Sequence, residues 1–559
     1  MSHFDFHMHP VFKRYICQFE SLYPTQRKAE ELLLPIDMKN PLIDLLEENF
    51  LHILESQVCL SQMKKGDLQM GVAAIAPVEE IFVQKNGLFG KILNSQFFTA
   101  PVDQTIFKLI RDHKISYYQL LLRELNLYKL LYEKGQIHIL NRAEGKVPAT
   151  NGQPVLAIGI EGGHSLSRSL VRRPGEPDTI LVNSQQPLDA LVKDFLDNPL
   201  LSAADSLRHL QQAMWKEKMD ICYLVLTHLS YIPEQFLATH AFGMKMIESE
   251  AVYPYGNGIS QQGKEVIDAA YTMKVGNKSA QILIDIKHMA LKSRLDFYAY
   301  RQEKNYALPI IASHMGVTGC SIEEWKFSLE SSRLLNTYGV PFVGITMDRS
   351  LAGYWGAINK EFTFNSWSIN LMDEDIEEVM KSKGMIGLSL DVRILGWQAG
   401  LAKKDKEEYL SWEDFRFFFP DEAKKLSPGD MPYEESYLLP TKQERHPLAL
   451  CFNILHIVAV GNEIPGCDPW QHICIGSDYD GLINPVANCR DAAQLPALGK
   501  ALARWLPIAE KTYVEERQLD WLLPRKKDGI DKLALEKIVQ GILFENGRSF
   551  LENWVGQKL

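Results

Sequence analysis

Short apolar runs recur along the chain, separated by longer mixed stretches. Eight stand out: "HFDFH" (3–7), "MGVAAIA" (70–76), "VLAIGI" (155–160), "CYLVLT" (222–227), "QILIDI" (281–286), "PIIAS" (309–313), "MIGLSL" (385–390) and "HICIGS" (472–477). They are nearly continuous rather than alternating, as strands buried on both faces are. Amphipathic segments lie between them, among them residues 207–218 and "EDIEEVMKSKG" from Glu374. Strand alternating with helix about eight times predicts an α/β fold, a (β/α)8 TIM-like barrel. A ninth run, "VPFVGITMD" (340–348), is assigned to an insertion between the sixth and seventh barrel strands. A doubly wound open sheet would take nine strands without that assignment and is the alternative fold.

The spacing of the runs is uneven, and the excess marks insertions at about 77–150, 316–368 and 397–446. The first is long and mostly helical, and the other two are rich in aromatic and charged residues. Insertions of this kind on a barrel build lids and subunit contacts, a homodimer among them. No linker rich in Pro, Gly or Ser divides the chain, so residues 1–559 are expected to form one domain.

Composition narrows the partners. The formal charge of −10 leaves no basic stripe for nucleic acid or an anionic membrane, which points to a small-molecule substrate. The longest apolar stretch, "LALCFNILHIVAVG" from Leu448, is shorter than a bilayer span and is broken by Asn453 and His456. The eight cysteines form no CxxC pair and read as reduced core thiols. No basic and apolar leader is visible ahead of the first run, so a cytoplasmic protein is expected.

Candidate chemistry sits where the apolar runs stop. The first ends in His7 and His9, the third in Glu161, the fourth in His228, the fifth in His288, the sixth in His314 and the eighth in Asp478. Barrel active sites lie at the C-terminal ends of the strands, so these seven residues would share one rim. His7 and His9, two apart, would project from the same face of a strand. Imidazole nitrogen and carboxylate oxygen both suit zinc, and Glu161 could bridge two ions with His288 and His314 on the second. An HxH alone is weak evidence; the joint arrangement is the signal. His164 and His240 lie near enough in sequence to touch the site, whereas Asp285 and Asp480 read as backbone-capping residues and Cys320 as a core thiol.

These segments resemble the membrane dipeptidase (renal dipeptidase) family of metallopeptidases, within the amidohydrolase superfamily. "GIEGGHS" is the most specific match, and "LTH", "NGISQQGKEVI", "LIDIKH", "IIASH", "INLMDEDIEEVMKSKGMIGL" and "IGSDYDG" follow in the family's order. The resemblance implies an amide hydrolase that works through a hydroxide bridging two divalent metal ions, zinc foremost. His7, His9, Glu161, His288 and His314 resemble the metal ligands, with Glu161 the bridge. His228 resembles the residue that binds the substrate carbonyl and its oxyanion. Asp478 resembles the aspartate that moves a proton from water to the leaving amine.

Two departures from the family pattern stand out. Its first strand ends in HxD, whereas here it reads "HMH". The arginine that holds a dipeptide's carboxylate is missing, because Ser368 or Ile369 stands where a guanidinium is expected. No apolar residue can do that bidentate work. Either Arg349 or Arg393 supplies the charge, with His164 a further candidate for substrate contact, or the substrate is not a plain dipeptide. The same centre could serve a lactonase, an N-acyl amino acid deacylase or a mononuclear deaminase, or the barrel could be a non-catalytic binding protein.

Overall fold

The computed structural model describes residues 2–17, 31–38, 51–85, 94–95, 102–149, 152–168, 201–244, 249–337, 340–348, 356–359, 362–398, 407–426, 446–527 and 529–558. All eight runs form parallel strands of one sheet: β1 (His3–Met8), β2 (Leu68–Ile75), β3 (Val155–Glu161), β4 (Ile221–Val225), β5 (Leu283–Asp285), β6 (Ile311–Met315), β7 (Met385–Leu388) and β8 (Ile473–Ile475). They pair in sequence order from β1 to β8. A parallel bridge between Met8 and Tyr479 brings the two ends together. There the Asp478 amide donates to the His7 carbonyl at 2.9 Å and the His9 amide to that of Tyr479 at 3.0 Å. The fold is the predicted TIM-like barrel, and the open doubly wound sheet is excluded by this closure.

Near-continuous apolar sequence is needed because each strand faces two cores. Phe4, Phe6, Met70, Val72, Val155 and Tyr223 belong to an inner cluster, which Phe550, Leu551 and Trp554 of the helix Asn546–Val555 join. The alternate positions, such as Ala73, Ile75, Leu156 and Ile158, pack outward with the surrounding helices. The helix Ala203–Lys216 shows how local sequence sets an outer element. The Ser202 side chain caps its start by accepting from the Asp205 amide, and its Leu207, Leu210, Ala213 and Met214 are buried.

The ninth run is the strand Val340–Met347, off the barrel, paired antiparallel with Leu329–Thr337. The strand Glu408–Ser411 joins its other edge, so segments 316–368 and 397–446 build one small sheet together. Segment 77–150 holds the helix Tyr117–Glu133, opened by a Ser116–Gln119 capping box. The long apolar stretch is the buried helix His446–Asn462, and among the described residues no helix is long and apolar enough to cross a membrane.

Candidate metal centre

The strand ends bring together the seven residues that the sequence singled out. Glu161, at the end of β3, lies at the middle. Its Oε1 is 3.1 Å from His288 Nε2, 3.3 Å from His7 Nε2, 3.4 Å from His314 Nε2 and 3.6 Å from His228 Nε2. Its Oε2 is 3.4 Å from His9 Nε2. Asp478 faces the same nitrogens, with Oδ1 at 3.5 Å from His9 Nε2 and Oδ2 at 4.0 Å from that of His314. Three overlapping groups have metal-ligand spacing: His7, Glu161 and His314; His7, His9 and Asp478; and Glu161, His228 and His288.

Local structure fixes how each ring is presented. His9 Nδ1 lies 3.0 Å from the Ala74 carbonyl, which can only accept, so that nitrogen carries a proton and Nε2 is the one turned to the site. His7 Nδ1 is 2.7 Å from the Tyr223 hydroxyl, whose own proton goes to the Phe6 carbonyl, so here too Nδ1 carries a proton and Nε2 faces the site. The Nε2 atoms of His7 and His9 are buried and have no hydrogen-bond partner among the described residues. His288 and His314 bring their Nε2 atoms to 3.3 Å of each other. Burial, helped by the charge of neighbouring groups, holds both of these imidazoles well below the usual histidine range, hence neutral. Ring nitrogens from several strands thus converge on one carboxylate, a donor set that fits a divalent cation able to displace the protons held there.

The backbone is bent to make this possible. His288 and Asp478 have φ of 65° and 63°, an uncommon conformation for residues other than glycine. After Glu161 the chain turns at Gly162, with φ of 91°. A Cβ there would lie 2.3 Å from the His164 ring, so the turn requires glycine.

Electrostatics divide the remaining groups. Burial alone would raise Glu161, but His7, His228 and a hydrogen bond from His288 hold it well below the usual carboxylate range. Burial opposes protonation of His9, yet Asp478 and Glu161 outweigh it and raise its pKa to about 9. Burial likewise opposes protonation of His228, and Glu161 and Glu79 raise its pKa.

Glu79 escaped the sequence reading. Fully buried, it accepts hydrogen bonds from His228 Nδ1 and the Ser230 hydroxyl, and these hold its pKa near 2 against its desolvation. Its only sequence signal was its place in "APVEE", just past the end of β2. Lys287 was missed too. It sits inside an apolar run, next to His288, and lines the pocket while only 2% exposed.

The pocket above this centre has a volume of about 920 Å³, counting its open mouth, and its described walls are mostly apolar. Phe12, Ile16, Met38, Phe82, Phe107 and Ile483 are among them. Ile369, not Ser368, faces the cavity; the Ser368 amide donates to Glu408 and its carbonyl accepts from Arg294. Arg393 also lines the pocket, but its Nε and Nη2 are spent on Asp391 and the Leu482 carbonyl. Arg349 lies outside the described residues. His164 is buried behind His228, with Nε2 3.1 Å from the Pro77 carbonyl, and His240 is tied to the Val252 carbonyl. Asp285 and Asp480 accept from backbone amides, as expected of capping residues, and Cys320 belongs to a separate core cluster.

No family model and no curated protein matches the sequence. Among solved structures, the chain is similar to a metallopeptidase from Rhodobacter sphaeroides liganded with a phosphinate mimic of the dipeptide L-Ala-D-Ala, at 13% identity and TM-score 0.44 over 99% of each chain. It is similar to a probable dipeptidase from Pseudomonas aeruginosa at 14% identity and TM-score 0.40, over 98% of this chain and 100% of that one. An amidohydrolase from Pseudomonas aeruginosa matches at 10% identity and TM-score 0.38, over 89% of this chain and 92% of that one. These likenesses are too distant to carry a functional argument, which rests on the geometry of the site itself.

Proposed function

We propose that this protein is a metal-dependent amide hydrolase of the membrane dipeptidase type. One observation carries the reading: the Nε2 atoms of His7, His9, His288 and His314 turn inward around the shared carboxylate of Glu161 at the C-terminal end of a barrel. His7, His9 and Glu161 would hold one divalent ion, and Glu161, His288 and His314 a second. Nitrogen and carboxylate donors suit zinc. Bound there, the ions would supply a nucleophilic water at neutral pH and polarise the scissile carbonyl.

The chain's own residues do the rest. Asp478, which lines the pocket beside His9, would take a proton from water and return it to the leaving nitrogen. His228 directs Nε2 at the space above Glu161 while Glu79 holds its other nitrogen, so it can donate to the oxygen that gains charge. The apolar walls exclude water from that charge and strengthen it.

The test is metal analysis of protein purified without chelator, with hydrolysis measured across dipeptides, N-acyl amino acids, amidated dipeptides and lactones. We expect two equivalents of zinc and amide hydrolysis. Glu161→Gln should lose one ion or both, since an amide does not bridge as a carboxylate does. One equivalent in the parent would favour a mononuclear deaminase. No metal under any loading condition would leave a binding protein.

A further inference from the structure

The Lys287 side chain is a cation in want of an anion. It lines the pocket, is almost wholly buried, and among the described residues its ammonium has no hydrogen bond or ion pair. Asp478, Glu161, Asp285 and Asp391 favour its charge from a distance without pairing with it, so the ammonium is open to an anion that enters the pocket. Arg393 is unsuited to that role, because it is already forked onto Asp391, and His9 and His228 face Glu161.

The negative groups tell the converse story. The described lining carboxylates are Glu161, Asp391 and Asp478. Glu161 is enclosed by histidines, Asp391 is taken by Arg393, and Asp478 lies 3.5 Å from His9. None is left to receive the free ammonium that begins a dipeptide. The rest of the described lining is mostly apolar, Phe82, Phe107 and Ile369 included.

We propose that the pocket takes N-acyl amino acids, with the acyl chain on the apolar wall and the substrate carboxylate on Lys287. The proposal rests on the hydrolase reading above and names its substrate class. In the reaction the acyl C–N bond breaks and the water oxygen bonds to the acyl carbon. The products are a fatty carboxylate and an amino acid whose nitrogen has gained both water protons as an ammonium.

The probes are N-hexanoyl-leucine, N-hexanoyl-leucinamide and 2-aminohexanoyl-leucine, which differ only in the carboxylate or in one added ammonium. Their binding to metal-loaded Asp478→Asn protein, where turnover is blocked, is measured by calorimetry. The same is done after adding Lys287→Met, which keeps the side-chain stem, or Lys287→Arg. The carboxylate should bind tenfold or more tighter than both other probes. Lys287→Met should shrink its advantage over the amide to within about twofold, and Lys287→Arg should keep most of it. An unchanged ratio in Lys287→Met, or equal binding of the aminohexanoyl probe, overturns the proposal. Hydrolysis by the parent protein is scored separately. Turnover with an unchanged Lys287→Met ratio sinks this inference alone, whereas carboxylate preference without turnover sinks the hydrolase reading and leaves the pocket assignment standing.

Discussion

Replacing Glu79 by Gln isolates one charge at the edge of the site. Among the described residues Glu79 makes no hydrogen bond to a proposed metal ligand; its partners are His228, Leu229 and Ser230. Gln is the same size and keeps an oxygen for His228 Nδ1, so the ring should stay in place. What is lost is the negative charge that, with Glu161, favours the imidazolium form of His228. A hydrogen bond from a charged donor contributes about 1.5–3 kcal/mol, against about 0.5–1.5 for a neutral one. The developing oxyanion would therefore be held less well by about 1–2 kcal/mol, a five- to thirtyfold drop in kcat/KM.

The sign of the pH effect follows. The parent holds the His228 proton more firmly than a free imidazole does, so activity that needs it falls as pH rises through that raised pKa. In Glu79→Gln the fall should come at lower pH, while metal content stays at the parent value. The assay is kcat/KM against pH on N-hexanoyl-leucine or, failing turnover of that, on the best amide of the panel, with metal measured on the same samples. An unshifted basic limb, or a loss of metal that accounts for the whole drop, would refute the assignment of Glu79 as the residue that orients and charges His228.

Two further outcomes are expected. Asp478→Asn should retain its metal and lose about a hundredfold or more in turnover, because an amide cannot carry the proton; parent-level rates would remove Asp478 from the mechanism. Asp414, buried near Lys292 and capped by Ser411, has its pKa pushed up to about 7 by burial. The folded state thus holds a proton that the unfolded chain has already lost above about pH 4, and stability falls as pH rises toward 7, by about 3 kcal/mol from pH 5 upward. Asp414→Asn, which mimics the neutral form, should flatten this dependence in thermal unfolding at pH 5 and pH 8, and an equal dependence in both proteins would contradict it.

The barrel was legible because strands buried on two faces leave a strong signal, and a run such as "VLAIGI" can hardly be anything else. Strand ends were legible for the same reason: a histidine or glutamate closing such a run has nowhere to point but the rim. Glu79 and Lys287 were harder. Glu79 follows β2 by several residues, on a segment with no periodicity, and its role comes from contact with His228, 149 residues away. Arg393 looked available from sequence, and only its bond to Asp391, two residues before it, shows that it is engaged. Ser368 and Ile369 could not be told apart by alignment, since which of two neighbours faces a cavity depends on the chain's path through an irregular turn.

Lys287 and His288 show how such a path can put two adjacent side chains to use. In an extended strand neighbours point to opposite faces, so one of the pair should enter the barrel wall. Both line the pocket instead. The left-handed backbone at His288 breaks the alternation, and Asp285 stabilises the bend by accepting from the Lys287 amide at 3.0 Å and the Ser313 amide at 3.1 Å. Burial pushes the Asp285 pKa up to about 6, a cost eased by the Ser313 side chain and these two backbone donors. One strained turn thereby brings the proposed metal-binding imidazole and the ammonium proposed to face the substrate side by side. Where the resemblance led us to expect a guanidinium, at Ile369, the pocket is apolar, and the free cation comes from the end of β5. The carboxylate it would hold therefore lies beside His288 and the reacting centre, and the wall that contains Ile369 is left to the acyl chain.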